Sequence, residues 1–238
     1  MIPVVFLHGF PHDSSVWTPQ LDGLASDAQC IAPDLFDCAP HAMDAFADHV
    51  VAVLDTLRID SAVIAGLSMG GYVAFAMWRR HRPRVRALIL ASTRATPDTP
   101  ETAARRRAMA DLVRHGGMSA VAATQAAAQL SRTTQATRPE LVAQVTAMAA
   151  AAPADGVLGA IDAMLTRVDS TPTLATIDVP TLIVGGDEDV LITRAELTHM
   201  AQGIAGARLE VLARCGHLCN LERPAAFNHV AGEFLATL

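Results

Sequence analysis

The 238-residue chain contains no lysine, so all 18 of its basic residues are arginines. Schiff-base chemistry and lysine-dependent phosphate loops are therefore excluded. Cysteine is scarce too: Cys30, Cys38, Cys215 and Cys219 are too few for a disulfide scaffold at this length. Cys215, His217 and Cys219 alternate as metal ligands might be spaced, but three close donors without a fourth make a poor tetrahedral site. No metal and no other cofactor is expected. No apolar run approaches the roughly 20 residues of a membrane span. Met1-Ile2-Pro3-Val4-Val5-Phe6-Leu7 lacks a basic lead-in and a small-residue cleavage site, which points to a strand and a cytoplasmic location. The 24 acidic residues outnumber the basic ones to give a net charge of −6. With no basic face evident, neither nucleic acid nor an anionic membrane is expected as a partner.

Hydrophobic residues make up 51% of the chain and charged ones 18%, the balance of a globular protein able to bury a sizeable core. Its organising stretch is Ala62-Val63-Ile64-Ala65-Gly66-Leu67-Ser68-Met69-Gly70-Gly71. The uncharged run up to Ala65 reads as a buried strand, and Val73, Ala74, Met77 and Trp78 recur at helical spacing. Ser68 thus falls on a sharp turn between strand and helix, where small residues two before and two after it, Gly66 and Gly70, let the elements pass closely. Taken alone, the pattern is equally a glycine-rich connection with an incidental serine, so the rest of the chain has to decide.

Further buried strands are expected over 4–7, 29–32, 85–91, 180–186 and 208–212. Helices are expected over 42–58, from Gly71 to near Arg80, over 195–202 and over 224–235. Alternation of strand and helix implies a parallel sheet of α/β class with right-handed crossovers. Between residues 94 and 176 the pattern changes to alanine- and arginine-rich helical periodicity without Phe, Tyr or Trp. Helices are expected there over 99–115, 119–130, 139–151 and 154–168. The division is then a core of 1–93 and 177–238 and an inserted helical cap, or lid, of 94–176, lining a modest apolar pocket. Arg105, Arg106 and Arg107 read as a solvated face.

In an open parallel sheet the carboxyl ends of the strands share one edge, and ligands bind there. Ser68, an acid among Asp187 and Asp189, and His217 all lie at such ends. His217 would take the proton from Ser68, and the carboxylate would fix the imidazole tautomer. Asp189 is preferred because Gly186-x-x-Asp189 leaves a turn between strand and carboxylate. The amides of Phe10, after His8-Gly9, and of Met69 are candidate oxyanion donors. His8 is expected to organise the loop beneath them and Asp34 to hold a loop by hydrogen bonds. His12, His41, His49, His81, His115, His199 and His229 receive no chemical role.

His8-Gly9-Phe10-Pro11, Gly66-Leu67-Ser68-Met69-Gly70-Gly71, Gly186-Asp187-Glu188-Asp189 and Cys215-Gly216-His217 together resemble the α/β-hydrolase superfamily over essentially the whole chain. Gly216-His217-Leu218-Cys219-Asn220-Leu221-Glu222-Arg223-Pro224 looks most like the 3-oxoadipate enol-lactonase group and related small bacterial esterases. His8-Gly9-Phe10-Pro11 also resembles the cofactor-free haloperoxidases, or perhydrolases. The resemblance implies an α/β-hydrolase fold with about six strands, since the family's usual first two are missing and one sheet edge is bared. That edge invites a second copy, a homodimer. It also implies a serine hydrolase acting on a small ester or lactone through Ser68, Asp189 and His217. Perhydrolysis, or ligand binding without turnover, are the alternatives. The loop after Asp34 lacks the family's arginine and glycine pattern. Serine as nucleophile, Tyr72 as sole tyrosine, the missing lysine and Leu218 after the base set the chain apart from epoxide hydrolases, hydroxynitrile lyases and carbon-carbon bond hydrolases.

Overall fold

In the computed structural model, which describes residues 1–238, Val4 and Phe6 enter one apolar cluster while Val5 and Leu7 enter another. Side chains along a strand alternate between faces, so a strand apolar on both must lie in a sheet covered on both sides. Ile64, Leu88, Leu90 and Ile183 join Val5 and Leu7, whereas Val63, Ala65, Ile89 and Leu182 join Val4 and Phe6. The strands are β1 (Ile2–Leu7), β2 (Ala28–Ile31), β3 (Ala62–Leu67), β4 (Val85–Ala91), β5 (Thr181–Gly186) and β6 (Arg208–Leu212). They form one six-stranded parallel sheet in the order β2-β1-β3-β4-β5-β6. β1 begins earlier than its apolar run because Ile2 and Pro3 already pair with Ala28 and Gln29 of the edge strand.

The core helices preceding the insertion are α1 (Thr18–Gly23), α2 (Met43–Thr56) and α3 (Met69–His81). Five helices then intervene between β4 and β5: α4 (Pro100–Gln129), α5 (Arg132–Thr137), α6 (Pro139–Ala151), α7 (Ala154–Leu165) and α8 (Thr171–Leu174). After them come α9 (Arg194–Gly203), α10 (Cys219–Glu222) and α11 (Pro224–Leu235). Phe46, Val50 and Leu54 of α2 cover one sheet face with α3 and α9. Trp17 covers the other, its ring 5.0 Å from Phe6 and 5.7 Å from Phe227 of α11.

The two helices expected over 99–115 and 119–130 are both present within α4, broken at Gly117, whose φ of 73° only glycine adopts without strain. Elsewhere the insertion departs from expectation in three places. α8 (Thr171–Leu174), a single turn, was not expected. α5 was not expected, because Arg132–Thr137 has no apolar stripe; Ser131 starts it by accepting a hydrogen bond from the Thr134 amide at 3.0 Å. The last long helix ends at Leu165, short of residue 168. No single helix is long and apolar enough to cross a membrane.

Parallel register brings the strand ends together: Leu7 pairs with Gly66, and Gly186 with Leu212. The loops after β1, β3, β5 and β6 therefore all open on one edge of the sheet.

Candidate active site

The turn after β3 is as tight as its glycines suggest. A Cβ on Gly66 would collide with the Gly70 carbonyl, and one on Gly70 with the Leu7 carbonyl. Ser68 sits at φ 53°, ψ −109°, a strained conformation that costs about 1–3 kcal/mol and persists only when its surroundings enforce it. Those surroundings are specific. The Ser68 amide donates to Ala91 at 2.9 Å, and its carbonyl accepts from Thr93 Oγ1 at 2.8 Å and from the Gly71 amide at 3.0 Å. Strain and anchoring together hold the hydroxyl above the sheet.

His217 Nδ1 donates to Asp189 Oδ2 at 2.9 Å, with both side chains buried. The other carboxylate oxygen accepts from the amides of Leu191 and Ile192 at 2.8 and 3.0 Å. Burial alone would raise the Asp189 pKa, but the facing imidazole and the two amides outweigh it and hold the carboxyl below its ordinary range. With its proton on Nδ1, His217 has a lone pair on Nε2 and can accept a proton there. Asp187 does different work: its Oδ1 accepts from the Arg214 amide at 2.7 Å and shapes the turn before His217.

The loop after β1 runs beside the serine, since a Cβ on Gly9 would lie 3.4 Å from that of Ser68. Its Gly9 carbonyl accepts from His8 Nδ1 at 3.2 Å and from the His12 amide at 3.0 Å. His8 Nε2 accepts from the Leu35 amide at 2.9 Å, so the fully buried ring ties this loop to the end of β2. Asp34 caps the turn there through the Phe36 amide. The Met69 amide is the first of α3 and has no partner within the helix.

Phe10, Ser68 and His217 share the wall of a cavity of about 440 Å³. No hydrogen bond joins Ser68 to His217; both line that wall. The lining is less apolar than expected, because Arg94, Arg105, Arg106, Gln125 and Glu196 face the cavity together with Tyr72, Met109, Ile161 and Met164. Arg106 also corrects the reading of 105–107 as a solvated face. It lies in the same helical stripe as Ala110 and Val113 and is turned inward to Asp98, which Arg167 holds at 2.8 Å from the other side. The buried thiols of Cys215 and Cys219 are pushed up in pKa by burial, and no group of three or more His, Cys, Asp or Glu side chains converges as metal ligands would.

A family profile described as alpha/beta hydrolase fold matches residues 2–224. The chain belongs to that family. This alpha/beta hydrolase is 32% identical over 190 residues to 3-oxoadipate enol-lactonase 2 of Acinetobacter baylyi, covering 80% of the chain and 69% of the relative. It is 28% identical to a 2-hydroxymuconate semialdehyde hydrolase of a Pseudomonas strain, covering 98% and 87%. Among solved structures, a thermophilic esterase from Thermogutta terrifontis, with malate bound, superposes with a TM-score of 0.95 at 34% identity, covering 100% of the chain and 90% of the esterase. Hydrolase chemistry is common to these relatives, but the bond cleaved is not.

Three polar residues around the candidate site were given no role from the sequence. Gln129, buried at the end of α4, bonds to the Phe10 carbonyl at 2.8 Å and to His12 Nε2 at 2.8 Å. Glu222, also buried, accepts from the Gly216 amide at 2.7 Å and from Ser131 Oγ at 2.6 Å. Glu188 accepts from Thr133 Oγ1 at 2.6 Å. Apart from Gly216, six residues from Glu222, each partner lies dozens of residues away; Glu188 and Glu222 fall inside stretches that carry the resemblance, and Gln129 falls in none.

Proposed function

We propose that this protein hydrolyses small carboxylic esters, lactones included, through an acyl-enzyme on Ser68. The observation that carries the reading is the buried Asp189–His217 hydrogen bond of 2.9 Å, with His217 in the wall of the same cavity as a strained serine. In this reading Ser68 Oγ attacks the acyl carbon as its proton passes to His217 Nε2. The negative charge that develops on the carbonyl oxygen falls to the amides of Phe10 and Met69, each worth about 3 kcal/mol of barrier. The Phe10 amide makes no hydrogen bond within the protein and is free for that role. Collapse of the tetrahedral species expels the alkoxide, which takes the proton back from His217; in a lactone the leaving oxygen stays tethered to the acyl group. Water, deprotonated by His217, then attacks the acyl-enzyme and regenerates Ser68. Helices α4–α8 act as a cap, of which α4 and α7 line the cavity.

Within this class the cavity favours a substrate that carries negative charge. Arg106 and Arg167 share the single carboxylate of Asp98, and Arg105, also in the wall, forms no ion pair. The resulting excess of positive charge suits an ester or lactone with a free carboxylate. Hydrolysis of p-nitrophenyl acetate by wild type and Ser68→Ala tests the core of the reading. Loss of roughly 10⁴-fold or more in kcat, with folding unchanged, is expected. A Ser68→Ala variant that keeps most of its activity overturns it, and binding without turnover by wild type favours a non-catalytic receptor instead.

A further inference from the structure

The groups proposed to react stand on four separate loops, and one short stretch of the insertion bonds to three of them. It runs from 129 to 133, where α4 ends and α5 begins. The Gln129 backbone carbonyl accepts from the amides of His217 and Leu218 at 3.0 and 3.2 Å, while its side-chain nitrogen donates to the Phe10 carbonyl at 2.8 Å. The Ser131 amide and hydroxyl donate to Glu222, whose other oxygen takes the Gly216 amide. The Thr133 amide and hydroxyl donate to Glu188, the neighbour of Asp189.

Gln129 is the tightest of these joints. Its Oε1 accepts from His12 Nε2 at 2.8 Å, and the His12 amide in turn donates to the Gly9 carbonyl. That carbonyl belongs to the same planar trans peptide as the Phe10 N–H, so tying it down sets the direction in which the N–H points. The next carbonyl, that of Phe10, is held by Gln129 itself. Both peptide planes flanking Phe10 are thus clamped, one through His12 and one directly. Only an amide side chain serves both contacts. A carbonyl needs a donor and an imidazole N–H needs an acceptor, and glutamine offers the two on one carbon.

The geometry points to Gln129 as a positioning residue for the reaction: one buried side chain and its own carbonyl fix the oxyanion donor on Phe10 and the base His217 in mutual register. The cap is then part of the catalytic apparatus as well as a wall of the cavity. This deepens the acyl-enzyme reading and rests on it. A donor misplaced by about 1 Å costs on the order of a hundredfold in rate, and the loss falls on the transition state because the ground-state carbonyl demands less of the amide.

The test uses Gln129→Met, which keeps the volume and removes both bonds, and Gln129→Glu, which keeps the acceptor for His12 but sets a carboxylate against the Phe10 carbonyl. Steady-state hydrolysis of p-nitrophenyl acetate is measured beside inhibition by a small alkylboronic acid, a mimic of the tetrahedral species. Expected is a loss in kcat of about 10- to 100-fold with KM within about threefold, and boronate affinity falling in step with kcat/KM. A folded Gln129→Glu variant with kcat within about threefold of wild type overturns the proposal, as does a rise in KM alone. Ser68→Ala separates the two readings. If it is inactive while both Gln129 variants are not impaired, only the positioning role fails; if it remains active, the acyl-enzyme reading itself fails.

Discussion

Acid should destabilise this protein in a pH window set by one histidine. His12 is fully buried, and its Nδ1 has no hydrogen-bond partner. Burial is the dominant influence on it and pushes its pKa down from 6.5 to about 4; the hydrogen bond to Gln129 and Asp13 oppose, while His8 and His217 push the same way. In the unfolded chain His12 binds its proton as pH falls through 6.5, but in the folded protein not until about 4. Between those values the unfolded state holds the extra proton, so stability falls with falling pH. The contribution is complete above the unfolded value and gone below the folded one. At about 1.36 kcal/mol per pH unit, that fall from 6.5 to about 4 corresponds to about 3 kcal/mol, most of it lost by about pH 4.5. Asp98 and Asp189 do not blur the window. Both carboxyls are held below the ordinary 3.8, burial notwithstanding, Asp98 by Arg106 and Arg167 and Asp189 chiefly by His217, so they give up their contributions only in stronger acid. Urea unfolding curves for wild type and His12→Gln, from about pH 7 to about pH 4.5, measure the difference in slope. Glutamine can place a donor near the Gln129 oxygen and does not titrate. Wild type should lose about 2–3 kcal/mol more than the variant across this range. Parallel losses would refute the argument, whatever the variant's stability at neutral pH.

Asp189→Asn should reduce kcat by about 10³- to 10⁴-fold near pH 7, because an amide facing Nδ1 favours the tautomer with its proton on Nε2. Asp187→Asn, which keeps an acceptor for the Arg214 amide, should stay within about tenfold, and equal losses in p-nitrophenyl acetate hydrolysis would undo the distinction drawn between the two carboxylates. Arg105→Gln should lower kcat/KM about five- to tenfold for a monoester of a dicarboxylic acid and leave the neutral ester of equal length unchanged. A loss of the same size on both esters would assign Arg105 to packing rather than charge recognition.

What could be read before folding depended on whether a constraint was local. The turn at Ser68 was legible because its demands fall on neighbours: a Cβ at position 66 or 70 collides with backbone, so the glycines stand two residues away on either side. The four inner strands were legible because each carries buried apolar residues on both faces, and the shared edge of Leu7, Leu67, Gly186 and Leu212 follows from parallel order. Arg106 was misread because a charge in an apolar helical stripe makes sense only once Asp98 and Arg167 are seen around it. Gln129 was silent for a deeper reason. Its neighbours Ala126, Ala127 and Ala128 describe a helix and nothing more, and its partners Phe10, His12 and His217 come from opposite ends of the chain. A polar residue buried at a helix end must find hydrogen-bond partners or cost the fold 1–3 kcal/mol or so. Such residues are where the inserted helices have to be fitted to the strand-end loops. If the insertion takes part in the proposed reaction, the substitutions that reveal it should fall at its junctions with the strand-end loops, such as 129–133.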